Sequence, residues 1–269
     1  MKIPVENKNI LVILGGTGKI GIAIVEHFLY KGWKVYSLSR MKTNSENIRN
    51  LKAQFLKNFK QLKVDCTNSQ KLLNAKKLIK KENGTIDLLV NCLGGLCCEE
   101  KLINLKKNHL QDVFNLNFFS VVNSCNIFLP IIQSGGTIIN FSGGGAIADQ
   151  ANGTFIAYPC AKTALLRFTE IISNQLKKDN IKVYAIDPGW VPSPEDWQNI
   201  KRENENSKVD LAYIREAKET PPLIEALYEN DKINNTGKLY KVFDDYKKIL
   251  NKKNIKDSFL KLRLVEKEL

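Results

Sequence analysis

Asn9-Ile10-Leu11-Val12-Ile13-Leu14-Gly15-Gly16-Thr17-Gly18-Lys19-Ile20-Gly21 decides the fold class. Its first half is a continuous apolar run, the pattern of a parallel strand buried on both faces. Its second half is a glycine turn, and residues 22–31 continue as a helical pattern that Gly32 stops. A buried strand that runs into glycines and reopens as a helix lets the backbone approach a pyrophosphate, whose charge favours the helix N-terminus. The strand before and the helix after turn a common glycine cluster into a nucleotide-binding reading. Gly15, Thr17, Gly18, Lys19, Ile20 and Gly21 are the candidate phosphate contacts.

Working outward, residues 33–38 form the second predicted strand, and its end carries Ser39 and Arg40 where an acidic residue would hold a ribose 2′-hydroxyl. A guanidinium cannot accept from that hydroxyl, but it matches a 2′-phosphate, so NADP(H) is predicted over NAD(H). A helix over about 45–58 leads to a third strand, 62–65, ending at Asp65 and Cys66. A lysine-rich amphipathic helix over 69–81 precedes the fourth strand, 86–91, which runs through Asn91 into Cys92-Leu93-Gly94-Gly95. One long helix is expected over about 105–133, with Asn115 and Asn117 set among aromatic residues. The fifth strand, 137–141, ends in Ser142-Gly143-Gly144-Gly145; the sixth, 181–186, leads to Asp187-Pro188-Gly189-Trp190-Val191-Pro192-Ser193; the seventh covers 238–242. Strand and helix alternate throughout, which specifies an α/β doubly wound parallel sheet with ligands at the carboxyl ends of its strands.

Between the fifth and sixth strands stands Tyr158-Pro159-Cys160-Ala161-Lys162, heading a helix over 161–178. A Tyr and a Lys four apart lie on one helix face. A free phenol has a pKa of about 10, and a nearby ammonium lowers it toward the range useful for proton transfer.

Composition narrows the remaining choices. The 269 residues suit one domain, with a polar stretch over about 190–220 that holds Trp190 and Trp197 and sits where a fold of this kind has its substrate lid, and a basic tail over about 244–269. The net charge is +13, but only six of the 41 basic residues are Arg, and the Lys are scattered among Asn, which argues for surface composition and against nucleic-acid binding. No apolar run approaches the ~18 residues of a membrane span, and the first eight residues have no signal-peptide core, so a cytoplasmic protein that does not enter membranes is expected. The six cysteines, Cys97-Cys98 included, form no Cys-x-x-Cys pair, and His27 and His109 are distant from them in sequence. Reduced thiols and no metal site are expected.

Taken together, these motifs resemble the short-chain dehydrogenase/reductase family, in its compact NAD(P)-dependent branch, over residues 9–242. The resemblance implies a Rossmann-like sheet of seven strands with helices on both faces. It makes Gly15, Gly18 and Gly21 the pyrophosphate turn and Asp65 the adenine contact. Asn91-Cys92-Leu93-Gly94 becomes the family's Asn-x-Ala-Gly loop with Leu for Ala, and Pro188, Gly189, Val191 and Ser193 flank the nicotinamide. Asn115, Ser142, Tyr158 and Lys162 match the catalytic tetrad: Tyr158 as general acid or base, Lys162 lowering its pKa and holding the ribose, Ser142 bonding the reacting oxygen, Asn115 bending the long helix.

Three departures accompany the match. The glycine turn reads Gly-x-x-Gly-x-x-Gly, as in the extended sugar-nucleotide branch; Gly143 stands where the family has the second serine of a pair; and bulky Phe118 replaces a glycine. A narrower likeness, in Ser142-Gly143-Gly144-Gly145 and Thr236-Gly237-Lys238-Leu239, is to bacterial reductases of surface-polysaccharide gene clusters. The implied activity is interconversion of a carbonyl and a secondary alcohol on a small-molecule substrate, with a sugar-related role. An NADP-binding sensor or scaffold and a sugar-nucleotide epimerase or dehydratase remain as alternatives. Apolar residues on more than one face of the helices holding Asn115 and Tyr158 point to subunit packing, and the resemblance implies that it makes a homodimer or homotetramer.

Overall fold

The computed structural model describes residues 9–41, 48, 53–95, 101–143, 146, 155–193, 196–198, 200, 213–230, 235–245 and 250. Seven strands form one parallel sheet: β1 (Ile10–Leu14), β2 (Lys34–Ser39), β3 (Phe59–Lys63), β4 (Ile86–Asn91), β5 (Ile132–Phe141), β6 (Lys182–Asp187) and β7 (Leu239–Lys241), in the order β3-β2-β1-β4-β5-β6-β7. Consecutive strands β1, β2 and β3 build outward one way, and β4 to β7 the other. The chain therefore reverses direction between β1 and β4, where a doubly wound sheet opens a crevice at its carboxyl edge. This is the Rossmann-like fold the strand–helix alternation specifies.

Alternation within each strand sends side chains to two cores. Leu11, Ile13, Val35, Leu88, Val90 and Ile139 pack toward one face with Ile24, Phe28, Leu223 and Ile224. That face is covered by α1 (Lys19–Tyr30) and α6 (Thr220–Glu229). Val12, Leu14, Tyr36, Leu38, Leu89 and Ile138 pack the other way. There the cover is α2 (Ser69–Asn83), α4 (Ser120–Phe128) and α5 (Ala157–Leu176), whose buried residues include Leu72, Val121 and Leu165. At the amino edge of the sheet, the buried Asp87 carboxylate accepts from the Ile10 backbone N–H at 2.6 Å and from the Gln133 amide, fastening β1, β4 and β5 together.

The long helix expected over 105–133 requires correction. It is α3 (Lys107–Phe114), a π-helical segment (Asn115–Phe119) and α4, and it ends at Phe128. Pro130 lacks an N–H, so the chain passes through a 3₁₀ turn at Leu129–Ile131 and enters β5 at Ile132, earlier than its strand pattern suggests. Of the helix expected over 45–58, the described part includes Ala53–Leu56. Residues 194, 195, 199 and 201–212 of the expected lid, most of the expected tail, and Cys97-Cys98 lie outside the described residues. No helix among the described residues is long and apolar enough to cross a membrane.

The closeness of α1 to the glycine turn gives the first prediction. A Cβ on Gly21 would lie 2.2 Å from the Gly15 carbonyl oxygen and 2.8 Å from Gly16 Cα, backbone atoms that cannot rotate away. Gly21→Ala is expected to push α1 off the turn, costing about 1–3 kcal/mol in urea unfolding with an unchanged slope. A midpoint equal to the wild type's would contradict this packing.

Candidate active site

The glycine turn is built for close approach. Gly15 has φ +82°, a conformation L side chains rarely adopt, and a Cβ there would lie 2.2 Å from the Cys92 carbonyl oxygen. The turn thus packs on the loop after β4. Gly15 N–H donates to Leu38 O at 2.9 Å, and Gly18 N–H to Gly15 O at 3.1 Å. Gly18 is the N-cap of α1 and provides no side-chain acceptor, so the first N–H groups of the helix are left for an anion. A Cβ on Gly18 would meet nothing closer than 3.6 Å, which leaves an open surface above the turn. These features fit a dinucleotide pyrophosphate. Thr17 and Ile20 are partly buried beside it, and Lys19 reaches from it to Val191 O at 3.2 Å and to Asp196 at 3.9 Å.

At the ends of β2 and β3, the Ser39 hydroxyl donates to Met41 O at 2.8 Å while Arg40 is exposed. Asp65 Oδ1 accepts from the hydroxyl and N–H of Thr67 at 2.7 and 3.1 Å, and these bonds hold its carboxyl below the usual range. Cys66 is buried beneath Leu38, and burial pushes its thiol up to about 12, so it is a neutral packing group. Arg40 and Thr67 also line a cleft of about 420 Å³ together with Asp112, Asn115, Phe119 and Asn123.

That placement corrects Asn115. It is exposed, on the Arg40 side of the helix, and is not the polar group beside Lys162. Asn117 is. Its side chain is fully buried, and its Nδ2 donates to Gly95 O and Val113 O, both at 2.9 Å. Its Oδ1 is buried without a hydrogen-bond partner among the described residues. A Cβ on Gly94 would lie 3.6 Å from Lys162 Nζ and 3.7 Å from Asn117 Oδ1, so all three border one space. The signal for Asn117 is present in the helical period: Val113, Asn117, Val121 and Cys125 are four apart and share the buried face, which Asn115 does not.

Lys162 is 1% exposed, and its ammonium donates to Leu93 O and Phe141 O, each at 2.9 Å. Burial draws its pKa from 10.5 down to about 8, with Cys92 acting weakly the other way. Cys92 is itself pushed up to about 12 by burial. Lys162 Nζ stands 5.7 Å from the centre of the Tyr158 ring. The phenol in turn abuts Gly143: a Cβ there would come within 2.2 Å of Tyr158 Oη. Ser142 is therefore corrected as well. Its Oγ is buried without a hydrogen-bond partner among the described residues, the Tyr158 hydroxyl included. The residue opposite that hydroxyl carries no side chain.

Two further expectations are resolved by direction. Asn91 turns its side chain inward, donating to Asn140 Oδ1 at 2.9 Å, which leaves only its backbone to face the crevice. After β6, Pro188 is buried and Gly189 (φ +70°) follows, its N–H donating to Asp187 Oδ1 at 3.0 Å. Ser193 exchanges bonds with Asp196, accepting from its N–H at 3.0 Å and donating its own N–H at 2.5 Å. The glycine turn, Gly94, Tyr158, Lys162 and the segment 188–193 are thus gathered at the carboxyl edge of the central strands. Asp187 and Tyr213 also belong to this edge, beyond the residues the motifs point to; an acid closing an otherwise apolar strand is the sequence signal for the first.

Comparison with known proteins bears on this geometry. A family model described as short chain dehydrogenase matches residues 9–204. The chain is 31% identical over 198 residues to the 3alpha-hydroxysteroid dehydrogenase of Mediterraneibacter gnavus, covering 70% of this chain and 76% of that one. It is 27% identical over 205 residues to the 7alpha-hydroxysteroid dehydrogenase of Bacteroides fragilis, covering 74% and 77%. Among solved structures, actinorhodin polyketide ketoreductase with NADPH shares the fold with a TM-score of 0.73 at 18% identity, covering 89% and 97%.

The depressed Lys162 pKa has a consequence for stability. Between about 8 and 10.5 the unfolded chain holds a proton at this site that the folded chain releases, so folding gains stability as pH rises through that window. The unfolding free energy of wild type relative to Lys162→Met should therefore rise by up to about 1 kcal/mol per pH unit there. Urea titrations of both proteins across that range check it; a constant or falling difference would contradict the burial of a charged amine.

Proposed function

Because the chain belongs to the short-chain dehydrogenase family, we propose that it transfers hydride between NADP(H) and a carbonyl or secondary alcohol, with Tyr158 moving the proton. As a member it is an NAD(P)-dependent dehydrogenase or reductase. The observation that carries the finer reading is a buried ammonium one helical turn from a phenol, at the carboxyl edge beside the glycine turn.

When bound, the nicotinamide supplies or takes up the hydride. Tyr158 gives its hydroxyl proton to the substrate oxygen in reduction and takes one back in oxidation. Lys162, charged below about pH 8, favours the phenolate and so lowers the cost of that transfer. Asn117 fixes the loop at Gly95 and keeps an acceptor next to the ammonium, the position we assign it in place of Asn115. With Gly143 opposite the phenol, Tyr158 holds the substrate oxygen without a serine partner. The turn at Gly15, Gly18 and Gly21, with Asp65, Gly94 and the segment 188–193, would hold the dinucleotide. Arg40, exposed at the end of β2, supports NADP(H), since it meets a 2′-phosphate with charge-assisted bonds.

A hydroxylated, sugar-like substrate is our reading of the polar stretch over about 190–220 and of the likeness to polysaccharide-cluster reductases. Pairing of subunits through the faces of the π-helical segment and α5 is supported by Phe119 and Ile171, 49% and 47% exposed. A second reading, an NADP-binding sensor, is favoured by one observation, the missing hydroxyl at Gly143.

Tyr158→Phe should cut turnover by roughly 10²–10⁴-fold while NADPH still binds. Turnover at the wild-type rate would remove Tyr158 from the chemistry, and absence of turnover in both proteins with NADPH bound would favour the sensor. In the same assays Arg40→Ala should weaken NADPH by about tenfold to a hundredfold and leave NADH unaffected. Equal loss of both would end the NADP(H) assignment.

A further inference from the structure

Gly143 leaves the reacting centre without the hydroxyl that a side chain there could carry, and the adjacent strand end holds a polar pair that the proposed chemistry does not use. Asp187 closes β6 directly beside β5: Phe141 pairs with Ile186, and Ser142 N–H donates to Ile186 O at 2.8 Å. Gly143, next in the chain, is the residue that touches the Tyr158 hydroxyl. Asp187 is 1% exposed. Its Oδ1 accepts twice, from Gly189 N–H at 3.0 Å and from the Tyr213 hydroxyl at 2.7 Å. Its Oδ2 is buried without a hydrogen-bond partner among the described residues.

The segment holding Tyr213 is fixed to the turn after β6. Trp190 N–H donates to Tyr213 O at 2.9 Å, and Arg215 N–H to Trp190 O at 2.8 Å, a short parallel bridge. A Cβ on Gly189 would lie 2.7 Å from Tyr213 O, so the two segments are in backbone contact. The Tyr213 ring also packs edge-on against Phe243, 5.7 Å between centres. Backbone and side chain together hold this phenol at the end of β6, on the same edge as Tyr158. Burial raises the Tyr213 pKa, the Asp187 carboxylate raises it further, and the charge of an ionised Tyr158 adds to both, which keeps Tyr213 protonated.

A phenol has one proton and two acceptor lone pairs. That of Tyr213 is given to Asp187 whether or not the carboxyl is ionised, because the bond falls on the oxygen that already accepts from Gly189. Tyr213 therefore cannot stand in for a serine as donor to the substrate oxygen. What it can offer is an acceptor. We propose that Tyr213 is a specificity-determining residue, its hydroxyl oxygen accepting from a hydroxyl group beside the reacting carbonyl, so that α-hydroxy ketones are preferred over the same ketones lacking that hydroxyl. This rests on the reading of Tyr158 as the proton donor. A plain ketone leaves the Tyr213 acceptor unmatched, and a mismatch of this kind weighs on selectivity more than on folding.

The test is NADPH-dependent reduction of matched pairs, each an α-hydroxy ketone and its deoxy counterpart, by wild type and by Tyr213→Phe. Wild type should favour the hydroxylated member by about tenfold in kcat/KM, and Tyr213→Phe should bring the ratio near one chiefly by slowing that member. Asp187→Asn, which keeps the accepting oxygen, should retain the preference. Asp187→Ala, which keeps the Tyr213 oxygen but frees the hydroxyl to turn and to donate, should weaken the preference, and an unchanged ratio in this variant counts against the assignment if Tyr213→Phe does not fold. Equal rates for both members in wild type, or an unchanged ratio in Tyr213→Phe, overturns the assignment and leaves the oxidoreductase reading standing. Bound NADPH with no ketone reduced overturns both.

Discussion

A single buried ammonium organises the carboxyl edge of this sheet. Lys162 is inside the protein, and removing a charge from water costs several kcal/mol unless hydrogen bonds replace the solvent. Its replacements are the carbonyls of Leu93 and Phe141, at the ends of β4 and β5. The amine therefore ties α5 to two strand ends at once, and the same helix places Tyr158 one turn earlier, against Gly143. Fixing the charge and fixing the phenol are one structural act. The neighbouring Cys92 thiol is kept neutral by the same burial that lowers the amine, so the site does not neutralise its own cation.

Around that charge the interior is polar, and a run of hydrogen bonds ties part of it together. Asn91 donates to Asn140, Asn140 to the Thr169 hydroxyl, and Thr169 to Leu165 O, a chain crossing from β4 through β5 to α5. Buried amides without partners would be costly, so this chain favours one register of helix on sheet. Asn117 completes the arrangement from the other helix. Its bonds to Val113 O and Gly95 O occur where the helix widens into a π turn, one of the devices that re-aim side chains at functional sites. The acceptor it leaves over faces the space shared with Gly94 and Lys162.

The fold was legible because its strands announce themselves. Residues 10–14 and 88–90 are apolar on both faces, as a strand covered on two sides should be, and the first runs into the glycine turn. Where legibility failed, two patterns competed. Leu129-Pro130-Ile131-Ile132 is apolar enough to extend a helix, yet Pro130 ends it and the last of these residues begins a strand. Asn115 and Asn117 differ by two positions, about 200° around a helix, and the period of Val113, Val121 and Cys125 favours the second. Ser142 and Gly143 differ by one, which in a strand reverses the face, and only the packing of the Tyr158 hydroxyl shows which one meets it. The pair formed by Asp187 and Tyr213 joins residues 26 apart through a segment with no periodic signal, so no sequence pattern could have brought them together.

The central claim is that a dinucleotide and a carbonyl react across this edge under control of Tyr158 and Lys162. Isotope tracing tests it most directly. NADPH carrying deuterium at the reactive nicotinamide carbon would be incubated with the protein and a panel of hydroxylated ketones, and the alcohol products analysed by mass spectrometry and NMR. The account predicts one deuterium on the new carbinol carbon, from one face of the nicotinamide only. NADPH that binds and keeps its label in every reaction would contradict it.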